Sequence, residues 1–355
     1  MLERLTNRNI NKIEPLDITP NELKEGFPIT DYAMTSVIQN RREIEGILDK
    51  KDDRIIIITG PCSLHDKRSA LDYASRLHEL SNEVDEKFLL VMRGYLEKPR
   101  TILGWKGIIN DHNLDGQRDV KKGLIAARDI LTEINELGVP ISTEFVGTWT
   151  PQYVDDLISL VAIGARTSES QPHRELASGL SMPVGFKNNT YGDMQVAVDG
   201  AKAARGSHVF LGIDGDGLGS YVETSGNEYT HIILRGGNGK PNCDPEFVNS
   251  ATDMLENAML PKNIIVDCSH GNSNKKYIEQ PNVFYKVIDQ IINGNDSIVG
   301  LMLESHINEG KQSFPNTKEE RNNLKYGVSI TDGCISWDAT EQLIRKAYEM
   351  FNGLK

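Results

Sequence analysis

RIIIITG at residues 54–60 is a short run of β-branched residues closed by a glycine. Seven further runs of the same kind follow it. They are FLLVMRG at 88–94, VPIST at 139–143, AIGART at 162–167, PVGFKN at 183–188, HIILRGG at 231–237, NIIVDCSH at 263–270 and SIVGLMLESH at 297–306. Between them lie segments with helical spacing. Short apolar strands alternating with helices imply a parallel sheet buried on both faces. Eight strands close such a sheet into a barrel, so the expected fold is α/β, a single (β/α)8 barrel, rather than an open doubly wound sheet. Outward from this core, the first thirty residues are polar and irregular, with Pro15, Pro20 and Pro28. A helix is expected from Asp31, as its cap, to about Leu48. Residues 1–50 therefore read as an N-terminal extension that makes oligomer or regulatory contacts. Residues 51–355 read as the catalytic barrel. HVFLGIDGDGLGSYVET at 208–224 reads as an inserted hairpin before strand six, within 207–225. The long stretch EKPRTILGWKGIINDHNLDG at 97–116 reads as a binding loop.

The bulk properties narrow the function. The chain has 355 residues, a net charge of −12, 38% hydrophobic residues and 25% charged residues. That charge disfavours nucleic acid as a partner. The first residues carry no apolar signal core, and no run of roughly eighteen apolar residues could span a membrane. Cys62, Cys243, Cys268 and Cys334 form no CxxC pair. Free thiols in a reducing, cytoplasmic setting are expected, most of them acting as small buried hydrophobes.

Chemistry gathers at the ends of the runs. In order these positions hold Cys62, Arg93, Glu144, Arg166, Lys187, Arg235, His270 and Glu304. A barrel places its active site on this face. One arginine after a strand has a bland explanation as a snorkelling side chain or surface ion pair. The whole series in one frame points to a site. Arg93, Lys98, Arg100, Arg166, Lys187 and Arg235 would repel one another unless anions bind among them. Cys62, His270, Glu304 and Asp332 would meet because strands one and eight adjoin. Their S, N, O, O set suits one divalent ion such as Mn²⁺, Fe²⁺, Co²⁺ or Zn²⁺. The structural alternative is an inert Cys62 and a His270 that caps a helix.

Seven motifs carry a family resemblance. They are GPCSLHD at 60–66, RGYLEKPRTILGWKG at 93–107, GARTSESQPHRELASGLSMPVGFKN at 164–188, HIILRGG at 231–237, DCSHGNSNK at 267–275, LMLESHINEG at 301–310 and SITDGC at 329–334. The chain resembles the type I (α) 3-deoxy-D-arabino-heptulosonate 7-phosphate (DAHP) synthases of the shikimate pathway. The resemblance runs from about Ile10 to Trp337. It implies a condensation of phosphoenolpyruvate with erythrose 4-phosphate that releases phosphate, at the first step of aromatic amino acid biosynthesis. Carried over by motif, Arg93, Arg166, Lys187 and Arg235 hold phosphoenolpyruvate, and Ala165 belongs to the substrate-binding set. Arg100 and Thr101 hold the sugar phosphate, and Lys98 lies between the two substrates. The metal set is Cys62, His270, Glu304 and Asp332, with Cys62 and Asp332 also counted in the catalytic group. Glu144 steers a water. Lys98 donates a proton, and burial among cations is expected to lower its pKa.

The resemblance also implies feedback inhibition by an aromatic amino acid. The matching pocket is Thr148, Pro151, Gln152, Leu176, Leu180, Ser181, Phe210, Gly212 and Val222, completed by the extension of a neighbouring subunit in a homodimer or homotetramer. VGTWTPQ at 146–152 departs from relatives at Gly147 and Trp149. Gly212 leaves room for a phenol, which leans the inhibitor toward tyrosine. A 3-deoxy-D-manno-octulosonate 8-phosphate synthase is the nearest alternative, and Pro99 in KPRT argues against it. A catalytically inactive regulatory barrel is the other, and the complete set of cations and ligands argues against that.

Overall fold

The computed structural model describes residues 6–353 with the exception of Arg118. Its strands are β1 (Ile55–Gly60), β2 (Phe88–Arg93), β3 (Ile141–Glu144), β4 (Leu160–Ile163), β5 (Val184–Lys187), β6 (Val209–Ile213), β7 (Gly219–Glu223), β8 (Thr230–Leu234), β9 (Ile264–Asp267), β10 (Ile298–His306) and β11 (Ile335–Ser336). The order β1-β2-β3-β4-β5-β8-β9-β10 is parallel throughout, and β10 pairs back onto β1, from Ile56 opposite Gly300 to Gly60 opposite Glu304. The barrel is closed, as the eight runs require. β11 extends the end of β10. One run is displaced: AIGART was expected as a strand, but β4 starts two residues earlier and stops at Ile163. Gly164 and the polar residues after it turn instead.

Period two sorts the strand side chains into two cores. Ile57 packs outward against the helices, in a core with Tyr73, Leu77 and Leu131. Ile56 and Ile58 face inward with Val91, Ala162, Ile233, Ile265 and Met302. Ile44, Ile47 and Leu48 belong to this inner core. The helix Asp31–Leu48 therefore stoppers the amino-terminal mouth of the barrel. Asn263 Nδ2 donates to Leu48 O at 2.9 Å, and Arg41 donates to Asp155 O and Ile158 O at 2.6 and 2.9 Å, just ahead of β4. Each buried aliphatic side chain in the stopper contributes about 1.5–3 kcal/mol. Its cap is Thr30, which accepts from Ala33 N at 3.2 Å, and Asp31 is the first helical residue instead.

The extension also contains a helix that the sequence reading treated as irregular, Pro20–Gly26. Thr19 and Glu22 form a capping box at its start. The TxxE pattern at 19–22 was the available signal. The inserted hairpin is β6 with β7, antiparallel from Val209 opposite Glu223 to Ile213 opposite Gly219. Asp214 closes its turn by accepting from Asp216 N and Leu218 N at 3.0 and 2.9 Å. Among the described residues no helix is long and apolar enough to cross a membrane.

One inward residue is out of character. His231 on β8 is buried, opposite Gly185, and occupies the space a side chain there would need. Neither ring nitrogen meets a protein partner among the described residues. Burial pushes its pKa down to about 3. Between that value and the usual 6.5, the unfolded chain binds the proton more tightly than the folded one. Its contribution is intact above pH 6.5 and is lost as pH falls toward 3. Between pH 7 and 4.5 the parent should lose about 2–3 kcal/mol from this group. Urea unfolding of His231→Leu at the two pH values should show that much less loss. Equal losses in parent and variant would rule the assignment out.

Candidate active site

The inward positions change character at the carboxyl ends of the strands. β2 ends in Arg93, β3 in Glu144, β5 in Lys187 and β9 in Asp267; Arg235 follows β8, and Glu304 lies near the end of β10. All six are buried. A buried charge costs several kcal/mol unless it is paired, and here the signs alternate. Arg93 Nη2 lies 3.2 Å from Glu304 Oε1, with its guanidinium 3.8 Å over the Tyr95 ring. Lys187 Nζ sits 3.2 Å from Glu144 Oε2 and 3.7 Å from Asp267 Oδ2. Burial works against the Glu144 carboxylate, but Lys187 and Lys98 outweigh it and leave its pKa below the ordinary value. Asp267 is likewise held well below its ordinary value: burial opposes its charge, and His270 and Lys187 overcome that opposition. Among the described residues Arg235 forms no ion pair of this kind, and burial lowers its pKa.

Above this layer is a cleft of about 260 Å³. Every substrate residue expected from the motifs lines it: Arg93, Lys98, Arg100, Thr101, Ala165, Arg166, Lys187 and Arg235, together with Glu144. The loop after β2 is pinched at its neck, where Lys98 N donates to Lys106 O at 2.9 Å and Ile108 N to Leu96 O at 3.0 Å. Arg100 Nε donates to Trp105 O at 2.7 Å, and Arg166 Nε to Thr101 Oγ1 at 2.9 Å. Arg100, Thr101 and Arg166 are exposed at the rim, while Arg93, Lys187 and Arg235 form the floor. The expectation for Lys98 is corrected. Burial does oppose its charge, yet its pKa is raised, because Cys62, Glu304 and Asp332 surround it. Its Nζ lies 3.1 Å from Cys62 Sγ and 3.2 Å from Cys62 O.

Three of the four expected metal ligands meet beside the cleft, and His270 approaches one of them. Ligand atoms of Cys62, Glu304 and Asp332 lie within 4.8 Å of one another. His270 Nδ1 is occupied by Asp267 Oδ2 at 2.9 Å and Ser269 Oγ at 2.7 Å, which leaves Nε2 facing Glu304 Oε1 at 3.8 Å. A carboxylate that fixes one imidazole nitrogen so that the other faces a metal is the usual outer-sphere device. The sulfur and two carboxylates at this separation, with the His270 imidazole 3.8 Å from one of them, are donor types that fit a borderline divalent ion. Without one, burial and Glu304 push the Cys62 thiol up. His270 caps no helix; it sits in a loop with φ of +53°, and Asn274 and Lys275 are also left-handed. Such a loop must be over-determined by its surroundings. Asn272 supplies this, donating to Leu234 O and Asp267 O at 3.1 and 2.8 Å and accepting from Asn242 N at 2.7 Å.

The sequence reading did not single out Tyr95, Asp267 or Lys275. Tyr95 and Lys275 line the cleft, and Asp267 ties Lys187 to His270. All three lie inside quoted motifs, in RGY and DCSHGNSNK, and position at a strand end was the signal for Asp267.

A second cavity of about 410 Å³ lies between the hairpin, the helix Gln171–Gly179 and the turn after β3. All nine residues expected for an inhibitor line it: Thr148, Pro151, Gln152, Leu176, Leu180, Ser181, Phe210, Gly212 and Val222. A Cβ at position 212 would lie 2.8 Å from Val222 Cγ2, so Val222 takes up part of the room that glycine leaves.

Fold and cleft together define a barrel enzyme for small, multiply anionic substrates. The chain belongs to the DAHP synthetase I family, whose model matches residues 30–345. It is 47% identical over 351 residues to the Tyr-sensitive phospho-2-dehydro-3-deoxyheptonate aldolase of Escherichia coli K12, covering 99% of this chain and 97% of the relative. It is 48% identical over 335 residues to the Trp-sensitive enzyme of the same strain, covering 94% of each. The structure of the phospho-2-dehydro-3-deoxyheptonate aldolase from Francisella tularensis SCHU S4 superposes with a TM-score of 0.92 at 42% identity, covering 96% of this chain and 98% of that one.

Gly164 gives this geometry a sharp test. A Cβ there would overlap Glu144 Oε1. Gly164→Ala should displace that carboxylate and lower kcat on the order of 100-fold, with a cooperative thermal transition retained. Parent-like kcat in steady-state assays would show that the position of Glu144 does not matter.

Proposed function

We propose that the chain condenses phosphoenolpyruvate with erythrose 4-phosphate to give DAHP and inorganic phosphate, with one divalent metal ion per subunit and with an aromatic amino acid as inhibitor. The observation that carries this is the division of the cleft cations into a buried floor and an exposed rim, both beside the sulfur–imidazole–carboxylate cluster. Two phosphates and one carboxylate match that supply of positive charge. Arg93, Lys187 and Arg235 on the floor, with Arg166 and Ala165 at its edge, hold phosphoenolpyruvate. Arg100 and Thr101 take the sugar phosphate at the rim.

In the reaction, the methylene carbon of phosphoenolpyruvate bonds to the aldehyde carbon. Water adds to the carbon bearing the phosphate oxygen, and the resulting hemiketal phosphate expels inorganic phosphate. One proton enters at the former aldehyde oxygen and one leaves the attacking water. Glu144, kept ionised by Lys187 and Lys98, accepts from that water and orients it. Lys98, whose Nζ lies 3.1 Å from Cys62 Sγ at the edge of the cleft, would stabilise negative charge developing at the aldehyde oxygen. Cys62, His270, Glu304 and Asp332 would hold the metal, which supplies Lewis acidity toward the aldehyde. The second cavity would take the inhibitor. Relatives named for tyrosine and for tryptophan are about equally similar, so identity does not choose between them. The small Gly212 favours tyrosine.

Glu144→Gln should lower kcat by about 100-fold or more while the KM for phosphoenolpyruvate stays near that of the parent. A large rise in that KM instead would assign Glu144 to binding. A phosphate-release assay tests the metal and the inhibitor together. Activity should vanish with a chelator and return with added Mn²⁺, Fe²⁺, Co²⁺ or Zn²⁺, and tyrosine should inhibit more strongly than phenylalanine or tryptophan. Full turnover after exhaustive metal stripping would refute the metal site, and inhibition by phenylalanine alone would refute the preference for tyrosine.

A further inference from the structure

Three cations of the cleft share one uncharged partner. Tyr95 is buried and lines the cleft, two residues beyond the end of β2. The Arg93 guanidinium lies 3.8 Å over its ring centroid, and Lys187 Nζ and Lys98 Nζ lie at 5.5 and 5.9 Å. All three stand within the reach of an aromatic quadrupole, about 6 Å. They arrive from separate elements: the end of β2, the end of β5 and the loop after β2. The ring therefore joins floor and loop cations at one point. The phenol hydroxyl has a lesser part. It meets the Met302 thioether at 3.7 Å, a weak acceptor, whereas a buried phenol ordinarily reaches a stronger one. The surroundings use the face of the ring rather than its polar end.

An aromatic face suits this position for an electrostatic reason. Cations gathered so closely repel one another, and carboxylates relieve that repulsion only by neutralising them. Glu304 already pairs with Arg93, and Glu144 and Asp267 with Lys187. A further acid in place of the ring would compete with an incoming phosphate or carboxylate for the same cations. The ring carries no net charge. It lowers the energy of the assembled cations and leaves their net positive charge for the ligand. Its backbone is fixed from below, where Tyr95 O accepts from Leu64 N at 2.9 Å, in the segment that carries Cys62.

We propose that Tyr95 is a positioning residue whose ring face, and not its hydroxyl, gathers Arg93, Lys98 and Lys187 at the spacing that phosphoenolpyruvate requires, so that the affinity of the cleft for that ligand follows the electron density of the ring. This rests on the roles proposed above for the three cations. Tyr95 acts through them and not on the reacting atoms.

The test replaces Tyr95, in the metal-loaded, full-length protein, first by phenylalanine and then by phenylalanines carrying one, two and three ring fluorines. Fluorine withdraws electron density from the face and changes the shape of the ring little. Phosphoenolpyruvate is titrated by calorimetry across the series. Tyr95→Phe should bind it within about twofold of the parent, and each added fluorine should then weaken it in steps, to a total of about tenfold or more. A flat series overturns the proposal. So does a loss already complete in Tyr95→Phe, which would assign the role to the hydroxyl. A parent that binds no phosphoenolpyruvate sinks the reading of the cleft, and inorganic phosphate titrated across the same series then decides the role of the ring: a graded loss supports it and a flat response overturns it. Should the fluorinated proteins fail to fold, Tyr95→Leu, which keeps an apolar side chain without a π face, is measured beside Tyr95→Phe. It should bind the same ligand at least about tenfold more weakly, and parent-like affinity overturns the proposal.

Discussion

Closing eight parallel strands into a ring sends every second side chain into an enclosed space, and that space must be filled without leaving charge unpaired. In the lower part of this barrel the solution is aliphatic, from Ile56 and Ile58 to Ile265 and Met302, with the stopper helix adding Ile44, Ile47 and Leu48. At the upper end it is ionic. Arg93 faces Glu304, Lys187 faces Glu144 and Asp267, and Asp267 also holds His270. These groups are mutually dependent. Removing one strands its partner in a poorly solvating environment, at a cost of about 3–5 kcal/mol. The same alternation holds the Glu144 and Asp267 carboxylates below their ordinary pKa.

The loops above the ring are held by side-chain amides rather than by regular structure. Asn188 Oδ1 accepts from Arg235 N at 2.8 Å and from Asn242 Nδ2 at 3.1 Å. Asn242 Oδ1 accepts from Gly236 N at 2.7 Å, and its own N–H donates to Asn272. An amide offers both donors and an acceptor without charge, so three asparagines can serve backbone groups that no strand or helix would satisfy. This chain of amides joins the ends of β5, β8 and β9. It holds Arg235 and His270 in place on segments that have no secondary structure of their own.

The strand runs were legible because period and residue type are local properties, and the barrel followed from their number. The strand-end residues were legible for the same reason. What the sequence concealed depended on neighbours in space. Lys98 reads as one cation among many along the chain, but in space its Nζ lies 3.1 Å from Cys62 Sγ, with Glu304 and Asp332 close enough to favour its charge. Asp267 looks like the last residue of a strand until β5 places Lys187 beside it. β4 was shifted because AIGART continues the apolar pattern past Gly164, where the chain turns away from the ladder. The helix at Pro20 was missed for a different reason, since its cap signature was present but too little apolar periodicity follows it.

The sulfur atoms carry one more consequence. Cys62, Cys243, Cys268 and Cys334 are all free thiols, and all are buried, with Cys334 beside Cys62 and Cys268 near Cys243. None can meet a bulky alkylating reagent while the native packing persists. The rate at which each pair of sulfurs is modified therefore clocks the opening of its neighbourhood. The molecule thus carries built-in gauges of local breathing in two places, Cys62 and Cys334 beside the cleft and Cys243 and Cys268 beyond the ends of β8 and β9, readable by mass spectrometry without any added label.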